Sequence, residues 1–556
     1  MILSRVGLKI NKIHIWLFLG LILLNLAFFA INLNDFFLSD DFDWIYSTKT
    51  SQYSLLDYFS ANYFGEQGVG GSYRPMFNLI FSLAYNLFGL NPLGYHLINL
   101  IFHIGVCFLI YLLTLTLFEN YKEKNKVAIL AALFFAILPN HSEAIIWIAA
   151  VGDPLAAFFY LLSFYLYILF RKKEKFYFLV ISILSFIIAI LTKELAITLP
   201  LLILVWELYE GISKNNFFLR EIITRVIGYF AILLFYLLAR YWAIGLFFGY
   251  YAEETFRINL TEIFKMLVAL LTNLFFYGDL RILLTDYFMA NKLFFILLLI
   301  LIVSLILLVL RKYKFKLAFL LDFYIILILP VLPLAFGHFT NEGERYNYLP
   351  SVVFCILLSL LIWQIKKDKF LRNLAIIGLL VYFSVSLINK NYTWHLAGQL
   401  TEKVIKQDFH QVINLNEQNK TLLFISLPDN LEGAQVFRNA VDLAIRLYYP
   451  NYQFEGKTLQ VYLYLTRQNM HQKILYWGSY PTGGWLAETF DQGNWVTGLP
   501  TKYKDNYVFE LWGYDYDNYT SSQIRFYLQN EYLQLLEQDR LDILIFNKGQ
   551  LKKLNK

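Results

Sequence analysis

The chain has 556 residues, of which 58% are hydrophobic and only 16% charged, and its mean hydropathy is +0.51. A soluble surface needs about a quarter charged residues, so the composition excludes a water-soluble multidomain protein and indicates a polytopic membrane protein. The balance of 47 basic and 41 acidic residues, +6 net, is too small to argue for a nucleic-acid partner.

A crossing helix needs about 20 apolar residues. In chain order the sequence predicts spans at 13–33, 92–118, 127–147, 154–170, 176–192, 195–209, 226–244, 293–310, 317–337, 346–364 and 371–389, about eleven in all. The first follows Arg5, Lys9 and Lys12, is too long for a secretory leader and has no small-residue cleavage site after it. It is read as a signal anchor. Two further apolar segments, 75–90 and 262–277, are read as in-plane or re-entrant helices, because making either a crossing would invert the charge of the loops around it.

Basic residues gather before 13 and at 119–126, 171–175, 211–225, 311–316 and 366–372, while the alternate loops have almost none. The positive-inside rule then sets the N-terminus in the cytoplasm and the tail outside, in a multi-pass cell-membrane protein. After 390 the composition turns polar. Thr421–Ser426, Thr458–Leu465, Tyr507–Trp512 and Leu541–Phe546 read as strands and Ala434–Leu447 as a helix, giving an extracytoplasmic mixed α/β domain over 396–556 behind a membrane domain over 1–395. Cys107 and Cys355 lie alone in apolar runs, so neither a disulfide framework nor a zinc site is expected.

Ionisable residues outside the basic loops fall on the expected outer side. Asp40, Asp41 and Asp43 follow the first span. A partly desolvated carboxylate there can take a proton from an acceptor hydroxyl; paired acids can instead hold a divalent metal, or Ser39 or Asp40 can simply cap a helix. Tyr73-Arg-Pro75 opens the segment 75–90, where proline suits a first helical turn and sets Arg74 beside a helix N-terminus, ready for a phosphate. His96, Asn99 and His103 share one helix face. Asn140-His-Ser-Glu143 and Asp153 fall in the second outer loop, Lys193 and Glu194 in the third, and Glu342, Glu344 and Arg345 between the spans 317–337 and 346–364. Charges near a bilayer are costly and usually functional.

These pieces, in this order, resemble the GT-C class of integral-membrane glycosyltransferases, most closely the transmembrane and tetratricopeptide-repeat (TMTC) O-mannosyltransferases and their bacterial relatives. The match comprises Asp40-Asp41; Tyr73-Arg-Pro75 with Gly89-Leu-Asn-Pro-Leu-Gly-Tyr-His96, Asn99 and His103; Leu138-Pro-Asn-His-Ser-Glu-Ala144 with Trp147 and Gly152-Asp153; Lys193-Glu194; and Glu344-Arg-Tyr-Asn-Tyr-Leu-Pro-Ser351. It covers roughly 13–395. Val151-Gly152 stand where the family has arginine and alanine before its aspartate, Leu138 replaces a histidine, and a different domain takes the place of the repeats.

The resemblance implies a GT-C fold and an inverting transfer of a mannose-like monosaccharide from a polyprenyl-phosphate donor to a protein or glycan acceptor. Asp40 would be the general base with Asp41 second. Arg74, Lys193 and Arg345 would hold the donor phosphate. Tyr73, His96, His141, Glu143, Asp153, Glu194 and Glu344 would shape the sugar or acceptor pocket. The lipid-linked sugar is a co-substrate, membrane lipids are the surroundings, and a divalent metal is compatible with the acids but not specifically indicated. A lipid-linked glycan polymerase or ligase, and a transporter or flippase, are the competing readings; the latter places its charges near the bilayer midplane.

Overall fold

The computed structural model describes residues 12–51, 54, 56–60, 72–213, 219–247, 260–311, 314–333, 342–366, 368–438, 440–458, 461–471 and 530–554, together with strand segments at 474–477, 484–489, 495–497, 507–512, 520–521 and 523–528. Arg5 and Lys9 of the first basic cluster, Lys214, Lys312, Lys367 and the end of the expected span 317–337 lie outside the described residues. The chain divides into two compact units. One holds 1–33, 51–338 and 343–391; the other holds 34–50, 339–342 and 392–556.

The first unit is an α-helical membrane domain. Among the described residues seven helices are long and apolar enough to cross a bilayer: Lys12–Asn32, Pro92–Leu117, Ile148–Lys173, Glu194–Ser213, Leu219–Ile244, Lys292–Val309 and Lys369–Val412. Each coincides with an expected span. Phe176–Thr192 has the bounds expected of it, 17 residues, just under the length of the seven. The other three expected spans are shorter or broken: Lys314–Ile328 and Ser351–Ile362 have 15 and 12 residues. The span 127–147 becomes Lys124–Ala136 and Pro139–Ile146, bent by 51°. Pro139 causes the bend: it lacks an N–H and forces Leu138 into extended backbone, φ −70° and ψ 124°,. The segments 75–90 and 262–277, expected in-plane or re-entrant, form short helices, Pro75–Phe88 and Leu260–Thr272, and a third, Asp279–Ala290, follows them.

The helix Gly152–Lys173 sets the scale of this unit. Asp153 stands in its first turn and Arg171 in its last, 18 residues or about 27 Å apart along the axis. At the Arg171 end the basic loops meet. Arg171 and Arg225 share the buried Glu207 at 2.6 and 3.2 Å, Lys316 reaches the Leu117 carbonyl, and Arg372 and Lys126 flank the Trp363 ring at 4.4 and 5.0 Å. Arg74, Glu143, Asp153, Lys193, Glu194 and Arg345 gather at the other end.

The second unit is α/β. Lys420–Ile425 pairs in parallel with both Leu541–Asn547 and Phe454–Thr458, and Gln550–Lys553 adds an antiparallel edge. Lys420–Ile425 is buried throughout, as a central parallel strand covered on both faces must be. Two further sheets complete the unit. The expected helix Ala434–Leu447 is shorter than its spacing suggested. Ala434–Gln435 pairs with Asn430–Leu431 as a strand, and the helix begins only at Val441 after Ala440 takes a left-handed φ of 66°. The expected strand 458–465 is two strands, Phe454–Thr458 and Val461–Leu465. The helix Asp40–Thr50 packs on Val441–Tyr448, the Ser39 N–H donates to the Val436 carbonyl (2.9 Å), and Asp35 pairs with His395 at 2.6 Å. Gly398 allows a close approach here: a Cβ would lie 3.1 Å from the Asp35 side chain and 3.2 Å from the Phe36 nitrogen, so those atoms would have to shift by a few tenths of an ångström.

Candidate active site

Four of the residues named from sequence form one network in the membrane unit. Arg345, in the turn Glu344–Asn347 that precedes the helix Ser351–Ile362, donates to Glu143 through its guanidinium, and its backbone N–H donates to the other Glu143 oxygen at 3.2 Å. The same guanidinium lies 3.9 Å from Asp153, which pairs with Lys193. It is held between two rings, 4.6 Å from Trp147 and 5.0 Å from Tyr346, and Lys193 sits 5.5 Å from the same Tyr346 ring. The planar cation stacks on aromatic faces as it pairs, which fixes its orientation. Burial pushes the Lys193 ammonium below its ordinary value; Asp153 opposes that shift, and Arg345 and Arg74 add to it.

Arg74 and Glu194 form an adjoining pair. Arg74 is the N-cap residue of Pro75–Phe88, with Pro75 in the first turn, and it donates to Glu194 from Nε and Nη2, both at 2.8 Å. The other Glu194 oxygen accepts from Arg240 at 3.3 Å. Arg240 is only 2% exposed, and its Nε and Nη2 have no hydrogen-bond partner among the described residues. Two arginines on one carboxylate leave net positive charge at this point, and a buried guanidinium with unmet donors is costly.

Glu344 pairs with Lys390 rather than with the other acids. Tyr73 donates to the Phe59 carbonyl at 2.9 Å, and its backbone carbonyl accepts from Tyr236 at 3.4 Å. His96 is buried on the helix Pro92–Leu117. His141 faces inward: its Nδ1 donates to the Phe135 carbonyl at 2.9 Å and its Nε2 lies 2.8 Å from the Ser351 hydroxyl. His103 bonds Tyr348 at 2.8 Å, and Asn99 donates to the carbonyls of Ile145 and Trp147 at 3.2 and 3.1 Å. These groups hold the bent segment 139–147 in place and leave both His141 nitrogens engaged. A cavity of about 10 Å³, room for one water, is lined by Asp153, Lys193 and Tyr348,.

Asp40 and Asp41 belong to the α/β unit. Asp40 begins the helix Asp40–Thr50, half-buried, and accepts from the Ser39 hydroxyl at 3.3 Å. Asp41 is 1% exposed and accepts the Leu38 N–H at 2.8 Å, bracing its own helix start. The raised pKa falls on Asp43, which burial, then Asp40, then Asp442 push up to about 7. Among the described residues no three His, Cys, Asp or Glu side chains converge as a metal ion would require.

Arg240 and Lys390 were not singled out from sequence. A signal existed for each: a lone cation inside the apolar run 226–244, and the lysine that ends the run 371–389. Either is expensive near lipid unless it serves a site.

No family model matches the chain. It resembles protein O-mannosyltransferases of the TMTC group: Tmtc1 of Drosophila melanogaster, 32% identical over 152 residues (27% of this chain, 17% of the relative); human TMTC3, 35% over 143 residues (25% and 15%); and human TMTC4, 32% over 173 residues (28% and 23%). The chain thus matches less than a quarter of the length of these relatives. Among solved structures it is similar to the oligosaccharyltransferase of Archaeoglobus fulgidus (TM-score 0.46, 13% identity, 79% of this chain and 64% of that one) and to ArnT from Cupriavidus metallidurans bound to undecaprenyl phosphate (TM-score 0.43, 12% identity, 81% and 92%).

Proposed function

We propose that the chain is a glycosyltransferase that moves a mannose-like monosaccharide from a polyprenyl-phosphate donor to a protein or glycan acceptor at the extracytoplasmic face, with inversion at the anomeric carbon. One observation carries the reading. Glu143, Asp153, Lys193 and Arg345 come from three separate segments of the sequence and meet in one ion-paired network at a single end of the helices, and those segments are the ones that resemble the mannosyltransferases.

In this reading Arg74, Lys193 and Arg345 neutralise the charge that grows on the leaving phosphodiester, with Arg240 beside them. The acids already paired to them keep the cations ordered before the lipid arrives and give way to its phosphate. Asp40 is the base that takes the acceptor proton. The anomeric C–O bond to phosphate breaks as the acceptor oxygen bonds to carbon from the opposite side, and the phosphate leaves without protonation, so one carboxylate suffices. The N-terminus is cytoplasmic, on the side of the basic loops, and the C-terminal α/β domain is extracytoplasmic and engages the acceptor.

The test is a transfer assay. Purified full-length protein is given polyprenyl-phosphate-mannose or a nucleotide-linked mannose with a membrane-protein acceptor pool, and products are identified by mass spectrometry. Addition of one hexose from the lipid donor alone is expected. Hexose transfer from the nucleotide sugar, or transfer of a preassembled oligosaccharide, would overturn the reading.

A further inference from the structure

The α/β unit carries a groove of about 540 Å³ that takes no part in the site above, within the range of small-ligand pockets, about 300–1,000 Å³. Its position follows from the topology. Lys420–Ile425, Phe454–Thr458 and Leu541–Asn547 are parallel, so the residues just before them, Asn419, Gln453 and Arg540, come together at one edge of the sheet and line the groove. The main chain locks this rim: the Asn419 N–H donates to the Gln453 carbonyl (2.8 Å) and the Thr421 N–H to the Arg540 carbonyl (2.8 Å). Lys49, in the last turn of Asp40–Thr50, and Arg446, in the last turn of Val441–Tyr448, supply the other wall.

The charge of the groove is unbalanced. Lys49, Arg446 and Arg540 face one carboxylate of the lining, Glu455. Lys49 and Arg540 are exposed and make no ion pair among the described residues, and the only ion-pair partner of Arg446 among them is Asp442 at 4.0 Å. Arg446 is held in place by its bond to the Phe454 carbonyl (2.9 Å) and by the Phe454 ring, 4.7 Å away. Helix-end placement alone would account for Lys49 and Arg446, since cations suit helix C-termini. It also reaches Arg540, whose N–H closes the end of the helix Asn530–Glu537 on the Leu535 carbonyl (2.8 Å). It does not account for three such cations lining one groove, nor for Tyr452, a lining residue only 5% exposed whose hydroxyl has no hydrogen-bond partner among the described residues.

We infer that this groove binds an anionic saccharide. Its lining offers side-chain amides and hydroxyls that both donate and accept, which is what a ring of sugar hydroxyls needs, and three cations for carboxylate or sulfate substituents. The large rings at its floor, Tyr452 and Phe454, are stacked on each other with centroids 5.4 Å apart and are buried, leaving no open apolar pocket for peptide side chains. The inference stands apart from the transferase reading, because binding is measured without any donor.

Titration calorimetry on full-length protein in detergent, with a galacturonate tetramer as probe and maltotetraose and tetraglutamate as controls, tests it. The galacturonate is expected to bind with an affinity that falls as salt rises, while maltotetraose shows no binding and tetraglutamate binds more weakly. Lys49→Ala combined with Arg540→Ala should weaken galacturonate binding about tenfold or more, the loss of two charge-assisted contacts. Both side chains are exposed, so the double variant should keep the wild-type thermal midpoint. Equal binding of maltotetraose, tighter binding of tetraglutamate, or an unchanged affinity in the folded double variant would each overturn the inference.

Discussion

Arg345 grips Glu143 twice, through its guanidinium and through its own backbone N–H, although 202 residues separate them in the chain. Because the backbone takes part, the pair fixes the turn 344–347 as well as one side chain. Removing Glu143 leaves the mostly buried Arg345 with Asp153, 3.9 Å away, as its carboxylate, and breaking a buried pair costs about 3 kcal/mol. Glu143→Ala should therefore lower the thermal midpoint of the purified protein clearly. Glu143→Gln, which still accepts hydrogen bonds, should lower it less. Equal midpoints in wild type and Glu143→Ala would show that the pair is dispensable for the fold.

Asp40 and Asp41 are adjacent in sequence but differ in their surroundings, and their variants should differ in kind. Asp40→Asn keeps the shape and loses the basicity, so transfer should fall by about 10²- to 10⁴-fold with insertion and thermal midpoint unchanged. Asp41→Asn weakens the bond to the Leu38 N–H and should show first as lost stability. Wild-type turnover in both variants would remove the first loop from the mechanism.

Asp43 gives a pH signature. Its folded-state value is raised from 3.8 to about 7, so the folded chain holds a proton that the unfolded chain has released. Stability from this group is then full below about pH 4 and falls as pH rises toward 7. The thermal midpoint should drop between about pH 4 and 7, and Asp43→Asn should flatten that drop and raise the midpoint at the upper end,. A variant with the same pH slope as wild type would contradict the assignment.

Arg240 is expected to matter for the lipid rather than for folding. Arg240→Lys keeps the charge and loses the forked donors, two of which have no partner among the described residues. Polyprenyl-phosphate affinity, read by native mass spectrometry, should weaken about tenfold, near 1.4 kcal/mol. Unchanged affinity would exclude Arg240 from the phosphate site.

Much of this was legible in the sequence, and the misses have local causes. Long apolar runs bounded by charge gave the seven long helices because burying a backbone in lipid leaves few options. Pro139 marked the break in 127–147, yet hydropathy alone reads across it. Pairings were harder to foresee. Lys193 and Glu194 are neighbours, expected at the phosphate and in the pocket, and a one-residue step turns them toward different partners, Asp153 and Arg74. His141 was expected in the pocket from the resemblance alone; the fold shows both its nitrogens engaged with Phe135 and Ser351. The Ala434–Leu447 helix failed at its start because strand pairing of Ala434 and Gln435 overrode helical spacing.

The central claim is that the cluster around Arg345 holds a lipid-linked phosphate. A structure of the full-length protein with bound polyprenyl phosphate tests it most directly. The account predicts the phosphate within hydrogen-bond reach of Arg345 and at least one of Arg74, Lys193 and Arg240, with the Arg345–Glu143 or Lys193–Asp153 contact loosened. A phosphate bound elsewhere, with all of these ion pairs intact, would contradict it.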